Sequence, residues 1–233
     1  EQFEAGDMLV EHSRSAAPTR VNGYLSAPPA LRVAGGMAAL TDAIRDRLTA
    51  GCLISGHRVR HLRHLGDCVE VEASDALGST ICHRATHVLL AVPPRLAATT
   101  IAFRPMLPEA TLQSWQQCGT WMAPHAKYVA VFDEPFWRKH GLSGEARSAV
   151  GPLAEIHDAS AHRGGAALFG FLGVPAQVRG KTPEAVLLAH CRAQLVRLFG
   201  DRAGAPSAEF LKDWTSDPYT AVMADQHPIP HHS

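Results

Sequence analysis

A chain of 233 residues, 46% of them apolar, with 22 basic side chains balanced by 22 acidic ones, can bury a substantial core and does not have the composition of a disordered chain. No like-charge run builds a basic stripe, which argues against nucleic acid or an anionic membrane as partner. No apolar stretch approaches the roughly 20 residues of a membrane helix, and the opening EQFEAGDMLVEH lacks a signal-peptide layout, so the expectation is a soluble, cytoplasmic protein.

In chain order, residues 1–30 hold Pro18, Pro28 and Pro29 and show little periodicity, which predicts one weak helix or none and then a loop. From Gly35 the pattern turns helical. Met37, Leu40, Ile44 and Leu48 recur at three- and four-residue spacing, Asp42, Arg45, Asp46 and Arg47 fall off that face, and Gly51 suits a left-handed cap. This predicts an amphipathic helix packed on a sheet. Strands are predicted at Cys52–Ser55, Arg58–His64 and Val69–Ala73, then a turn over 76–79 and a return strand at Ile81–His83. His57, His61 and His64 read as a solvated strand face rather than a metal site, because no second ligand cluster completes a coordination shell. The five cysteines, scattered and without a C-x-x-C pair, read as reduced structural thiols.

The run Val88–Val92, stopped by Pro93 and Pro94, has the pattern of a strand buried on both faces. Beyond it come Ile101–Phe103, a helix over Glu109–Cys118 and a strand over Ala126–Phe132. That strand carries Lys127 in an otherwise apolar run, and a buried unpaired amine costs several kcal/mol, so it needs a partner, a water or a task. Asp133 and Glu134 are the nearby acids that would give it a purely structural role. Beyond Trp137 the chain reads as loop-rich through Gly151. Strands follow at Leu153–His157 and Ala166–Leu172, with Gly164-Gly165 as the turn before the second. A helix capped by Thr182, with Pro183 at its first position, runs to Phe199 and stops at Gly200. A last strand, Glu209–Trp214, leads to the Asp217-Pro218 turn, and the tail from Asp225 has no regular pattern. The order of elements predicts an α+β fold.

Five segments taken together carry a likeness. LLAVPP, IAF-P-LP, the lone Lys127 before EPFWRK, RVAGGMAAL over 32–40 and DWTSDPY over 213–219 resemble, in order and spacing, the flavin-dependent monoamine oxidase family, including polyamine and amino-acid oxidases. The resemblance runs from about Leu31 to Tyr219. It implies an amine-substrate sheet domain plus an internal segment of a Rossmann-like FAD-binding domain. Residues 1–30 and 101–233 would then belong to the mixed β-sheet substrate-binding domain and 31–100 to the cofactor domain. It further implies FAD as cofactor and a small-molecule amine as substrate, oxidised by hydride transfer to the flavin with oxygen as the final acceptor and peroxide released.

By the same resemblance, Lys127 matches the lysine that holds a water near the flavin's reactive nitrogen, and Trp214 matches a tryptophan near flavin and substrate. Gly35 and Gly36 match the glycine pair that opens a helix, and Val59 matches a strand residue whose backbone meets the adenine side. Apart from the resemblance, Trp214 reads equally as a core aromatic at a strand end, and Val59 as a plain core valine. The chain also departs from the family. It has no G-x-G anywhere, Ala224 stands where a substrate-caging aromatic is expected, and the carboxy-terminal glycine-rich segment is absent. The expectation is a partial oxidase, with a homo-oligomer or a complementing chain left open. The alternatives are a non-catalytic domain without FAD and a hydrolase; for the latter, Gly141-Leu142-Ser143-Gly144 falls one residue short of a nucleophile elbow.

Overall fold

The computed structural model describes residues 6–22, 33–161 and 165–227. The chain forms two compact units, one from Glu1–Ser26 with Gly119–Ser233 and the other from Ala27–Cys118. Strands β1 (Asp7–Glu11) and β2 (Thr19–Val21) open the first unit. The chain then builds the second unit from helix α1 (Gly36–Arg45), strands β3 (Arg58–His64), β4 (Val69–Ser74) and β5 (Thr80–Ala85), helix α2 (Pro94–Thr100), strand β6 (Ala102–Arg104) and helix α3 (Glu109–Gln117). It returns to the first unit with β7 (Ala126–Phe132), β8 (Leu142–Ser148), β9 (Leu153–Asp158), β10 (Ala166–Leu172), helices α4 (Ala176–Arg179) and α5 (Glu184–Phe199), and β11 (Ala208–Asp213). The architecture is α+β, with one sheet in each unit.

The first unit's sheet has seven strands in the order β11-β7-β10-β9-β8-β1-β2. Neighbours pair antiparallel except β1 and β8, which run parallel. Alternation explains β7, where Ala126, Tyr128, Ala130 and Phe132 are buried while Lys127, Val129 and Val131 are half-buried on the opposite face. The buried face joins Leu9, Ile156, Leu168, Trp137, Phe136 and the inward side of α5 (Cys191, Leu195, Leu198, Phe199) in one core. Glu11, 2% exposed, is held in that setting by Arg197 (Nε to Oε1, 2.6 Å) and by the Ser148 hydroxyl (2.6 Å). Gly200, φ 91°, ends α5 as predicted, but Pro183 occupies the amino-terminal cap position and the Thr182 hydroxyl donates instead to the Val178 carbonyl.

Several expectations for this unit need correction. Residues 7–11 and 19–21 are strands rather than weak helix or loop; β1 forms because β8 offers it a parallel edge. The stretch read as loop-rich from 138 to 151 holds β8, whose sequence LSGEARS has no β-branched residue to announce a strand; β1 and β9 supply its ladder on both sides. Gly164 of the predicted Gly164-Gly165 turn lies outside the described residues, as do the last six residues of the tail.

In the second unit the sheet order is β5-β4-β3-β6. Its strands β3, β4 and β5 meet the predictions, with β6 parallel to β3. Leu62 and Ala73 of the sheet and Leu96 and Ala97 of α2 are its buried side chains. Phe103 of β6 meets Trp115 of α3 edge-on, ring centroids 5.8 Å apart. His61 faces Glu72 at 2.9 Å, an acid partner across the ladder.

Four predictions fail here. Val88–Val92 is not a strand, and Val88, Leu89 and Val92 are exposed, Leu89 at 92%. No described strand lies beside the run, and an apolar sequence without a neighbour has no ladder to join. Helix α1 is amphipathic as read but has no buried residue; Met37, Leu40 and Ile44 are exposed rather than packed on a sheet. It ends at Arg45, so Gly51, φ 85°, turns the chain after the helix instead of capping it. Cys52–Ser55 is also not a strand.

Candidate functional site

The half-buried face of the seven-stranded sheet gathers the side chains that alternation turns away from the core. Lys127 of β7 stands opposite Phe171 of β10 on one side and Lys212 of β11 on the other. Val129 stands opposite Phe169, and Phe169 opposite His157 of β9. The sequence FGF places both phenylalanine rings on the same face, two residues apart.

The Lys127 ammonium lies 4.8 Å from the centroid of the Phe171 ring and 5.8 Å from that of Phe169. No carboxylate pairs with it among the described residues. Glu134, one of the acids considered for it, is held by Lys139 and Arg202, each at 2.6 Å. Two lysines directly opposite in a ladder repel, so Lys127 and Lys212 each need a separate environment. Lys212 binds Asp217 at 2.6 Å and sits 4.7 Å over the Trp214 ring, while Lys127 rests on the quadrupoles of two phenyl rings. The result is a fixed cation against an aromatic surface, with its ammonium free to hold an oxygen ligand.

Beside it, the His157 imidazole stacks on Phe169 with centroids 5.1 Å apart. Its nitrogens are 3.8 Å from Glu145 and 3.5 Å from Glu155. Arg147 also pairs with Glu155, and its hydrogen bond holds that carboxyl below the ordinary range in spite of partial burial. Trp214 is half-buried in the turn that follows β11, and its backbone N–H donates to the His125 carbonyl at 3.1 Å. The structure therefore brings Lys127 and Trp214 to the same end of one sheet, linked through Lys212.

Gly35, Gly36 and Val59 lie in the other unit. Gly35 (φ 80°) and Gly36 (φ 77°) take left-handed conformations at the start of α1, which glycine adopts without strain. A Cβ added at Gly36 would meet nothing within 4 Å, and the first turn of α1 holds no acidic side chain. That opening suits the close approach of an anionic group. Val59, half-buried in β3, pairs with Ala73. Taken unit by unit, the first offers a cation among aromatic rings, of the kind a flavin ring system would suit, and the second an open Gly36 at a helix start, of the kind a phosphate would suit. Sequence reading assigned no task to Phe169, Phe171 or His157, although the FGF spacing in a predicted strand was the signal for the two rings.

Known proteins resemble this chain in both sequence and fold. A probable flavin-containing monoamine oxidase A of Dictyostelium discoideum is 34% identical over 150 residues, 61% of this chain and 31% of that protein. Putrescine oxidase of Kocuria rosea is 28% identical over 207 residues, 81% of this chain and 41% of the relative. A solved structure of wild-type putrescine oxidase bound to putrescine superposes with a TM-score of 0.68 at 28% identity, over 80% of this chain and 40% of that one. The chain thus spans between about a third and two fifths of the length of these relatives. The family model for flavin containing amine oxidoreductases matches residues 2–232, and the chain belongs to that family.

Proposed function

We propose that this chain forms the substrate-side sheet, with an internal piece of a Rossmann-like cofactor domain, of an FAD-dependent oxidase acting on a small-molecule amine. The observation that carries the reading is the Lys127 ammonium, held over Phe171 and Phe169 rather than by an acid, at the sheet end that also bears Trp214. When bound, the flavin would take up the hydride from the carbon beside the amine nitrogen and pass the electrons to oxygen.

The chain's own residues have the remaining tasks. Lys127 holds a water by hydrogen bonding and supplies a fixed positive charge where negative charge develops. Trp214, with Phe169 and Phe171, presents apolar surface that orients a planar or aliphatic group and excludes water. Gly35 and Gly36 leave backbone room for a phosphate, and Val59 offers a strand-edge contact on the adenine side. The active assembly includes further polypeptide, joined to this chain or separate from it. Two observations support completion: the relatives are about twice as long, and the apolar face of α1 and the run Val88–Val92 remain exposed.

The test is spectroscopic first. Protein mixed with FAD is expected to gain the bound-flavin absorption band when a polypeptide bearing a glycine-rich nucleotide-binding turn is supplied, and to release peroxide from an amine. In that assembly, Lys127→Met is expected to retain the flavin and to slow its reoxidation on the order of 10²-fold, the scale for losing one preorganised charge-stabilising group. Unchanged oxygen kinetics would remove the role given to Lys127.

A further inference from the structure

Arg179 is 4% exposed, and its guanidinium touches three separate strand ends. Nε and Nη2 donate to the two carboxylate oxygens of Asp213 at 2.7 and 2.9 Å. Nη2 also donates to the Pro124 carbonyl at 2.9 Å, and Nη1 to the Val174 carbonyl at 2.6 Å. Pro124 lies two residues before β7, Val174 two residues after β10, and Asp213 is the last residue of β11. These three ends lie side by side in the sheet, because β10 and β11 both run antiparallel to β7.

Three groups of the first unit's site lie within three residues of one of those grips. Lys127 is three residues past Pro124, Phe171 three before Val174, and Trp214 next to Asp213. Asp213 extends the grip further, since Oδ1 accepts from both the Thr215 N–H (3.1 Å) and its hydroxyl (2.7 Å), which fixes the turn that carries Trp214. An apolar side chain could fill the same space, but only a planar fork with several donors can satisfy a carboxylate and two carbonyls from three strands at once.

We infer that Arg179 is a positioning residue, whose guanidinium clasps the ends of β7, β10 and β11 and so fixes Lys127, Phe171 and Trp214 as one constellation. The value of that constellation for amine oxidation rests on the function proposed above; the clasp itself does not.

The experiment uses fluorine NMR of the whole chain labelled with fluorotryptophan. The chain has four tryptophans, and the Trp214 line is assigned by its disappearance in Trp214→Phe. Arg179→Lys keeps the charge but loses the fork. It is expected to shift or broaden the Trp214 line while the line of Trp137, fully buried in the core, stays in place. A general structural role would move stability and leave that local signature unchanged. A Trp214 line unmoved in folded Arg179→Lys overturns the inference. Should Arg179→Lys fail to fold, Arg179→Gln, which keeps a planar amide but loses the fork and leaves Asp213 and its Thr215 bonds in place, is read by the same criterion. No flavin is needed, so loss of the oxidase reading would leave this result standing, and an unmoved line would leave the oxidase reading intact.

Discussion

Replacing Arg197 by methionine strips the Glu11 carboxylate of its principal partner. Glu11 is 2% exposed and receives two hydrogen bonds from Arg197, at 2.6 and 3.0 Å; Arg197 also donates to the Val150 carbonyl at 2.7 Å. After the substitution the Ser148 hydroxyl, at 2.6 Å, is the remaining side-chain hydrogen-bond donor to it among the described residues. Breaking a buried pair from one side costs about 3–5 kcal/mol. The Arg197 side chain is 36% exposed, so water already screens part of the attraction and the lower end, about 3 kcal/mol, is expected. At about 2–4 °C per kcal/mol for a domain of this size, thermal unfolding should come about 6–12 °C earlier. The assay is calorimetry or circular dichroism at neutral pH, with Glu11→Leu/Arg197→Met as control. The double variant removes both charges and should recover most of the loss. The orphaned carboxylate of the single variant takes a proton more readily, so its deficit should also shrink as the pH is lowered. A shift below about 2 °C, or a double variant no better than the single one, would refute the account.

Two further outcomes are expected. The hydrogen bond from Arg197 holds the Glu11 carboxyl below its ordinary range against burial. At Asp213, burial opposes ionisation but the hydrogen bonds from Arg179 and Thr215 together outweigh it. Both carboxyls thus bind protons more weakly folded than unfolded. Their stabilisation is present above the unfolded values near pH 4, and is lost as pH falls through the lower folded values; urea midpoints should drop below about pH 4, and less steeply in Glu11→Gln. Gly144 has φ 83°, and an added Cβ would sit 2.7 Å from Trp137 Nε1 and 2.9 Å from Asp158 Cβ, so Gly144→Ala should cost about 1–3 kcal/mol in urea unfolding. A neutral effect would mean that β8 can shift aside.

What the sequence discloses depends on how local the deciding contacts are. β7 and β10 could be read to the residue because each is a seven-residue, mostly apolar run, and α5 because a proline opens it and Gly200 closes it. β8 could not, since its partners β1 and β9 create it and its own residues do not favour a strand. The run Val88–Val92 shows the converse, an apolar pattern that reads as buried but has no described neighbour to bury it. Lys127 stood out as a lone cation in an apolar run, yet its ring partners lie more than forty residues further on and appear only once the β7–β10 register is known. Arg179 gave no signal at all, because its value lies in bonds that join its own segment to two others distant in sequence.

The parallel pairing of β1 with β8 also sets an order of assembly. Asp7 must find Leu142, and Glu11 must find Arg197, across intervals that include the whole of the contiguous 27–118 unit. On the ribosome that middle unit is complete while the amino-terminal strand still waits for its neighbour to be made. Once folded, it shortens the effective loop that β1 has to close. Docking of the first strand is therefore a late event in biogenesis, and until it occurs the β8 edge stays available to strands of other molecules.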